Sequence, residues 1–433
     1  MNKDTEKLVK FIDASPSMFH AAENAVNYLK ESGFTELREN EVFNLEPHGK
    51  YFINKFSSAI IAWQNGSDVR HGFRVIGSHL DSPTFKIKPN PELAAFDAYV
   101  KLNTEGYGGA ILSTWFDRPL SVAGRIFVAG ENTFSPKQIL VDVKEPVLII
   151  PNLSIHMNRD VNDGYKYNKQ KDTLPLFSLL GNESLKPKPF MQFIAEKANV
   201  NLEDILSHEL FLYETTPSTF IGPKKEFFSA GKIDNLGMAF PSLDALTQAK
   251  KSETGKMICL FNNEEVGSST AAGAGSPFFA DTLKRIVFSQ AEKTKTENSF
   301  ELFQIMLKNS FLISADQAHA AHPNYSEKND ITSFPVVNSG PAVKSAANMS
   351  YTSEGHTVAV FKKLCKDAGV PCQDFVNRSD MRGGSTIGPI TMQNLDIRSV
   401  DIGNPILGMH SVKELGGCFD QEAIAKVFKK FFE

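Results

Sequence analysis

Cysteine is scarce in this sequence. Only four occur in 433 residues, and no two of them have the Cys-x-x-Cys spacing that is typical of a structural zinc site. Scattered thiols of this kind fit a reducing compartment, so we expect a cytoplasmic location. We also expect ordinary buried thiols at all four positions, Cys259, Cys365, Cys372 and Cys418.

Long hydrophobic runs are also missing. No apolar stretch approaches the roughly 20 residues that a membrane helix needs. Residues 1–7 carry charges where a secretory signal would need an apolar core. The sequence therefore predicts neither a membrane span nor export.

The sequence has no excess of basic residues. Lys and Arg total 46 against 50 Asp and Glu, which gives a net charge of -4. This balance offers nothing to attract nucleic acid or acidic lipid, so we expect neither as a partner. The hydrophobic share of 41% is that of a globular protein, and the length predicts about two domains.

The chain changes character twice along its length. Between about 96 and 228 it has short β-like runs, such as Leu120–Val128, separated by polar loops. After Gly231, strand-like runs alternate with helical ones, which favours a mostly parallel sheet covered by helices on both faces. We predict an α/β domain formed by residues 1–95 and 229–433, with a β-rich domain, 96–228, inserted into it.

Several elements can be placed within this outline. Residues 51–63 are rich in β-branched and aromatic side chains and predict a strand. Residues 236–249 predict a helix, and a further helix is predicted to begin in the Gly- and Ala-rich segment at Gly267.

Acidic and histidine side chains stand where predicted strands end or a predicted helix begins. In open α/β sheets, functional sites form beyond the carboxyl ends of the strands. These side chains can therefore converge although they are far apart in sequence. They are His79 and Asp81 after residues 75–78, Asp234 before the helix at 236–249, Glu264 and Glu265 after 257–261, Asp316 after 311–314, and His410 after 396–402.

Carboxylates brought together in this way need a compensating charge, because they repel one another and are expensive to bury. Two histidines with several Asp and Glu, and no cysteine, suit Zn²⁺, Mn²⁺ or Co²⁺. A pair of divalent ions would be largely balanced by three ligand carboxylates and would still polarise a substrate carbonyl. The pattern therefore favours a paired-metal site.

Each candidate also has a structural interpretation. Asp234 fits the N-cap of the helix that follows it, His410 fits an ordinary loop histidine, and Glu264 with Glu265 fits a solvated acidic pair. A His-x-Asp sequence is weak evidence when it stands alone. The metal hypothesis is favoured because all these residues occur in one chain, each at a strand end or a helix start.

The sequence resembles the aspartyl aminopeptidases, a family of zinc exopeptidases with paired metals. The resemblance spans nearly the whole chain and rests on six stretches in the family's order. They are 78–83 (SHLDSP), 151–156 (PNLSIH), 263–268 (NEEVGS), 314–316 (SAD) with 319–325 (HAAHPNY), 384–389 (GSTIGP) and 409–411 (MHS).

The resemblance implies a set of metal ligands. Asp234 would bridge both metals, and the peptide bond after it would be cis, as in many relatives. His79 and Asp316 would complete one site, and Glu265 and His410 would complete the other. Two Zn²⁺ per subunit are expected, with Mn²⁺ or Co²⁺ as alternatives.

Catalytic and substrate-binding roles are implied in the same way. Asp81 would orient His79, and Glu264 would be the general base that also protonates the leaving amine. The residues that match the family's substrate contacts are His319, Lys344, Tyr351 and His156, of which His156 is a metal ligand in an alternative interpretation.

The implied activity is the removal of N-terminal Asp or Glu from peptides. The 96–228 domain would mediate dimerisation, and since relatives form closed dodecamers, we expect a homo-oligomer of that kind built from dimers. Two alternatives stay open. One is a paired-metal aminopeptidase or amidohydrolase of neutral specificity. The other is a binding protein that has lost catalysis, against which the intact Glu264 and metal ligands argue.

Overall fold

The part of the chain that the structure describes contains three β-sheets. The structure, a computed structural model, describes residues 2–180, 185, 188–294, 298–381 and 383–433, except the side chains of 292–294. The strands in chain order are β1 (Thr35–Glu36), β2 (Lys50–Lys55), β3 (Ala59–Gln64), β4 (Phe73–His79), β5 (Thr84–Ala95), β6 (Tyr99–Tyr107), β7 (Leu120–Val128), β8 (Lys137–Asp142), β9 (Leu176–Leu179), β10 (Ile205–Glu214), β11 (Thr219–Ile221), β12 (Phe227–Ala230), β13 (Gly255–Phe261), β14 (Phe311–Ala315), β15 (Ala318–His319), β16 (Ala342–Ser345), β17 (Gln373–Val376), β18 (Arg398–Gly403), β19 (Pro405–Leu407) and β20 (Glu414–Gly417).

Helices cover these sheets. No helix in the described ranges is long and apolar enough to cross a membrane. The α-helices are α1 (Lys3–Asp13), α2 (Met18–Glu31), α3 (Pro189–Ala198), α4 (Ile233–Thr247), α5 (Phe278–Thr294), α6 (Ser299–Lys308), α7 (Gly355–Asp367), α8 (Ile387–Met392) and α9 (Cys418–Phe431).

The largest sheet has the order β1-β2-β3-β13-β4-β14-β18-β16-β17. Its central strands β13, β4, β14 and β18 are mutually parallel, so their carboxyl ends meet at one edge. Both faces are buried, as strand β13 illustrates. Met257, Cys259 and Phe261 point into the core beneath α5 and α6, whereas Ile258 and Leu260 point into the core shared with α1, α4 and α9. The predicted α/β fold, a mostly parallel sheet covered by helices, is confirmed.

A second sheet, with the order β8-β7-β10-β5-β6-β9, is antiparallel throughout. It has its own hydrophobic core, in which Phe190 and Ile194 of α3 pack with Phe85, Val122 and Leu210 from the strands. Its strands lie between Thr84 and Glu214. The predicted insert limits of 96 and 228 stay a prediction.

A third, smaller sheet connects these parts. Its order is β11-β12-β20-β19-β15, so β20 lies between β12 and β19. Strand β12 leads into Asp234 at the start of α4, and β19 leads into His410. This sheet therefore brings two candidate residues together from distant parts of the chain.

Two local predictions are wrong. Residues 51–63 form the hairpin of β2 and β3 instead of one strand, because Phe56 and Ser57 both adopt φ 52°, which extended backbone does not allow. No helix begins at Gly267. There Gly267 (φ 97°) and Ser268 (φ 57°) are left-handed, and helix α5 begins only at Phe278.

Candidate metal centre

The candidate ligands converge at the carboxyl edge of the central strands. Within each of three groups, the potential ligand atoms all lie within 4.8 Å of one another. Asp234, His79 and Glu265 each belong to two of the groups, so the three groups form one connected cluster. The groups are His79, Asp234 and Asp316; Asp234, Glu265 and His410; and His79, Glu264 and Glu265.

The first group joins strands β4 and β14 to the start of α4. The Nε2 atom of His79 lies 3.5 Å from Oδ1 of Asp234 and 3.6 Å from Oδ1 of Asp316. Two atoms that bind one Zn²⁺ tetrahedrally, at about 2.0–2.1 Å each, lie roughly 3.4 Å apart. These separations therefore fit atoms that share one ion.

The second group uses the other oxygen of the same aspartate. Nε2 of His410 lies 3.3 Å from Oδ2 of Asp234 and 3.5 Å from Oε2 of Glu265. The two oxygens of Asp234 thus approach two different histidines, which is the arrangement of a bridging carboxylate. The peptide bond between Asp234 and Asn235 is cis.

The electrostatics of the cluster call for a cation. Burial raises the pKa of Glu264 to about 8, with His79 opposing the rise and Asp316 and Asp234 adding to it. Burial, together with Asp234, also raises the pKa of Glu265 well above its usual value. Oδ1 of Asp234 and Oε1 of Glu265 are buried without a hydrogen-bond partner in the described chain. Histidine and carboxylate donors with free oxygens fit Zn²⁺.

His79 responds to the same surplus of negative charge. Burial would lower the pKa of its imidazole, but contacts with Asp234, Asp316 and Asp81 hold that pKa well above the usual value. A metal ligand must be neutral imidazole, so a bound cation would replace the proton that these carboxylates attract.

Asp81 fixes the geometry from behind the cluster. His79 donates from Nδ1 to the backbone oxygen of Asp81 at 3.0 Å. The Asp81 carboxylate accepts the backbone N–H groups of Glu264 and Glu265, both at 3.1 Å, and the Tyr107 hydroxyl at 2.7 Å. Asp81 therefore orients one histidine through its backbone oxygen and the Glu264–Glu265 turn through its carboxylate.

Sequence reasoning missed the contribution of the antiparallel sheet. Tyr107 ends strand β6. Two residues later, the backbone oxygen of Gly109 accepts a hydrogen bond from Nδ1 of His410 at 3.2 Å. A Cβ on Gly108 would lie 3.1 Å from Cβ of Glu265, so the backbone passes directly against the cluster. The Tyr-Gly-Gly triplet was the available signal, since adjacent glycines permit such an approach.

Three of the four predicted substrate-binding residues, His319, Lys344 and Tyr351, lie near Asp316 or near one another. Nζ of Lys344 is 4.0 Å from Oδ2 of Asp316 and 5.8 Å from the ring centre of Tyr351. The rings of His319 and Tyr351 both pack near Phe375, at 6.1 Å and 6.3 Å. Lys344 is only 3% exposed, so its charge is held within the site. His319 is exposed at the edge of this group, and desolvation together with the charge of Lys344 lowers the pKa of its imidazole.

His156 lies apart from these groups. It is exposed in a turn of an irregular segment, and Nδ1 contacts Oγ of Ser154 at 3.4 Å. The apolar run 151–156 resembles a strand that ends in a polar tip, and that interpretation is wrong. Leu148 to Ile150 make only isolated bridges, and the chain then turns. No group of potential metal ligands in the described ranges contains His156.

Comparison with known proteins gives consistent matches over the whole length. A family model described as Aminopeptidase I zinc metalloprotease (M18) matches residues 11–432. The chain is similar to a probable M18 family aminopeptidase 2 of Clostridium acetobutylicum, with 47% identity over 99% of this chain and 98% of the relative.

Solved structures give the same fold. A chain of the Ape4 and Nbr1 complex has a TM-score of 0.93 and 34% identity, over 99% of this chain and 85% of that one. The Saccharomyces mApe1 dodecamer has a TM-score of 0.85 over 100% of this chain and 96% of that one, and its identity of 24% supports the fold alone.

Proposed function

This chain belongs to the M18 family of zinc aminopeptidases, and we propose that it removes N-terminal Asp or Glu from peptides with a pair of metal ions. The observation that carries the proposal is the shared carboxylate of Asp234, whose two oxygens approach His79 and His410 at 3.5 Å and 3.3 Å. A site with a single ion would use only one of the two sets of ligands that meet at Asp234.

In this proposal, one ion would be held by His79, Asp234 and Asp316, and the other by Asp234, Glu265 and His410. Zn²⁺ suits these donors, and Mn²⁺ or Co²⁺ would also be accepted. When bound, the pair polarises the carbonyl of the scissile peptide bond.

Glu264 acts as the general base. Its side chain lies inside the cluster, with Oε2 3.9 Å from Nε2 of His79. The carboxylate takes a proton from the attacking water and returns it to the leaving nitrogen, which avoids expulsion of an amide anion. Asp81 holds the backbone N–H of Glu264 and so keeps the base in place.

Lys344 selects the acidic substrate side chain. It is a buried cation beside Asp316, where a substrate carboxylate would gain a charge-assisted contact in a site shielded from water. His319 and Tyr351 flank Lys344 and would form the walls of the same pocket. A neutral N-terminal residue would leave the lysine without this partner.

His156 completes the site of a second subunit. Its loop exposes apolar side chains at Leu153 (52%), Ile155 (47%) and Met157 (74%), which an interface would cover. The antiparallel sheet would thus mediate dimerisation, and dimers would assemble into a dodecamer in the cytoplasm. There the imidazole would donate a hydrogen bond to the substrate oxygen as negative charge develops.

A panel of peptides that differ only in the N-terminal residue tests the specificity. We expect kcat/KM to be highest for Asp and Glu and about 10-fold or more lower for Ala, Leu and Lys, since one charge-assisted contact is lost. Equal or better hydrolysis of the neutral peptides would establish the alternative, a paired-metal hydrolase of neutral specificity.

A further inference from the structure

We propose that Glu414 is a positioning residue that sets Asp234 and His410 as metal ligands from one buried carboxylate. Oε2 of Glu414 accepts the backbone N–H of Asp234 at 3.0 Å, and Oε1 accepts the backbone N–H of His410 at 2.8 Å. The residue is 3% exposed. This inference rests on the proposed function, because it takes Asp234 and His410 to be ligands.

The third sheet explains how one side chain reaches both segments. Glu414 opens strand β20, which pairs with β12 on one side and β19 on the other. Glu414 lies opposite Ala230, where β12 ends, and its neighbour Leu415 lies opposite Leu407, where β19 ends. After each outer strand, the chain continues to a proposed metal ligand. Glu414 on the central strand contacts the backbone of both ligands.

Both outer segments need such a contact. After β12 the chain turns through Lys232 (φ 57°), and at the end of the other segment His410 itself has φ 68°. Residues with side chains seldom adopt this left-handed conformation without support from their surroundings. The hydrogen bond to the His410 N–H therefore fixes the direction in which its imidazole points.

The carboxylate is suited to this task because each oxygen can accept one hydrogen bond. In the described chain, Glu414 makes no ion pair within 4.0 Å, and its two oxygens are used by the two backbone N–H groups. A glutamine has the same shape, but its amide nitrogen cannot accept, so one buried N–H would lose its partner.

Glu214 provides a matched control. It lines the same cavity of about 220 Å³ as Glu414, Asp234 and His410. Glu214 is also buried, at 7% exposure, but its carboxylate pairs with Lys413 at 3.1 Å. Glu214→Gln removes the same charge from the same cavity without a direct contact to a proposed ligand.

The experiment measures zinc bound per subunit in full-length wild type, Glu414→Gln and Glu214→Gln. Each protein is stripped of metal and titrated with Zn²⁺ against a chelating dye, and circular dichroism checks the fold. We expect two bound ions in the wild type. In Glu414→Gln one ion should bind about 10-fold to 100-fold more weakly, the usual effect of losing an outer contact to a ligand, and Glu214→Gln should resemble the wild type.

Several results would overturn the inference. Wild-type affinity at both sites in Glu414→Gln, or equal weakening in Glu214→Gln, would each exclude a specific positioning role. If Glu414→Gln does not fold, Glu414→Asp keeps the charge but is too short to reach both N–H groups. It should then weaken one ion, and unchanged affinity would contradict the inference. A wild type that binds no zinc would instead refute the proposed function.

Discussion

At the scale of single residues, Asp234 and Asp81 show two different roles of a buried acidic side chain, a candidate metal ligand and an orienting group. Asp234 presents both oxygens to the cluster, and one of them is buried without a hydrogen-bond donor in the described residues. Both oxygens of Asp81 accept backbone N–H groups behind the cluster. A free buried oxygen needs a cation, whereas a satisfied one does not, and this difference separates a candidate ligand from an orienting group.

Glu264→Gln should keep the metals but lower kcat by about 100-fold or more, because the amide cannot take a proton from water. Turnover of an acidic peptide and metal content are measured on the same preparation. The neighbouring Glu265→Gln is the control and should weaken metal binding instead. Near-normal turnover in Glu264→Gln would mean that another group is the base.

Lys344→Ala should lower kcat/KM for an acidic peptide by roughly 10-fold to 150-fold, with a smaller effect on a neutral one, since a charge-assisted contact is worth about 1.5–3 kcal/mol. Lys328→Ala is a matched control, because Lys328 lines a pocket with His319 but is exposed. An equal loss for both peptides would show that Lys344 does not read the acidic side chain.

The sequence predicts residue types better than residue contacts. His79, Glu265 and His410 could be proposed because they follow strand ends, where sheet topology collects side chains. Tyr107 and Glu414 could not, because their partners are carboxylates or backbone N–H groups that only the tertiary structure brings near. Neither residue stands at the end of a central parallel strand.

At the scale of elements, the loop that carries His156 differs most from its sequence-based interpretation. Its apolar residues suggested a strand, yet Leu153, Ile155 and Met157 are exposed in an irregular segment with a turn. In the proposed dimer, a second subunit would bury these residues. The hairpin of β2 and β3 was missed because the apolar Phe56 stands at its turn and residues 55–59 contain no Gly, Pro, Asn or Asp.

His156→Ala should fold, assemble and bind metal, but turn over about 100-fold to 1,000-fold more slowly, as expected when one donor to a developing oxyanion is removed. Steady-state kinetics and metal content are measured together. Loss of one metal ion from this variant would support the alternative in which His156 is a ligand, and unchanged turnover would remove it from the site.

At the scale of the whole molecule, the alternation of strands and helices after Gly231 was sufficient to predict a parallel sheet covered on both faces. The odd and even residues of β13 pack into different cores. A strand that is buried on both faces in this way is typically apolar at successive positions, as residues 257–261 are. The limits of the inserted region are harder to predict. Strand β5 of the antiparallel sheet begins at Thr84, directly after the segment that carries His79 and Asp81, so no linker marks the boundary.

Complementation between subunits tests whether sites are shared. Glu264→Gln and His156→Ala chains should each be nearly inactive, but mixed oligomers should regain part of the activity. Some sites would then combine an intact Glu264 from one chain with an intact His156 from another. Unmixed oligomers of each variant are the controls, and verified mixed oligomers that stay inactive would rule out a shared site.

Titration of the metal-free enzyme with Zn²⁺ tests the paired-metal proposal most directly. The full-length protein is stripped with a chelator, and hydrolysis of an Asp-initiated peptide is followed as Zn²⁺ is added. We predict no hydrolysis without metal and full activity at two bound ions per subunit, because the two proposed ligand sets, His79 with Asp316 and Glu265 with His410, share only Asp234. Full activity in the stripped protein, or saturation at one bound ion, would contradict the paired-metal account.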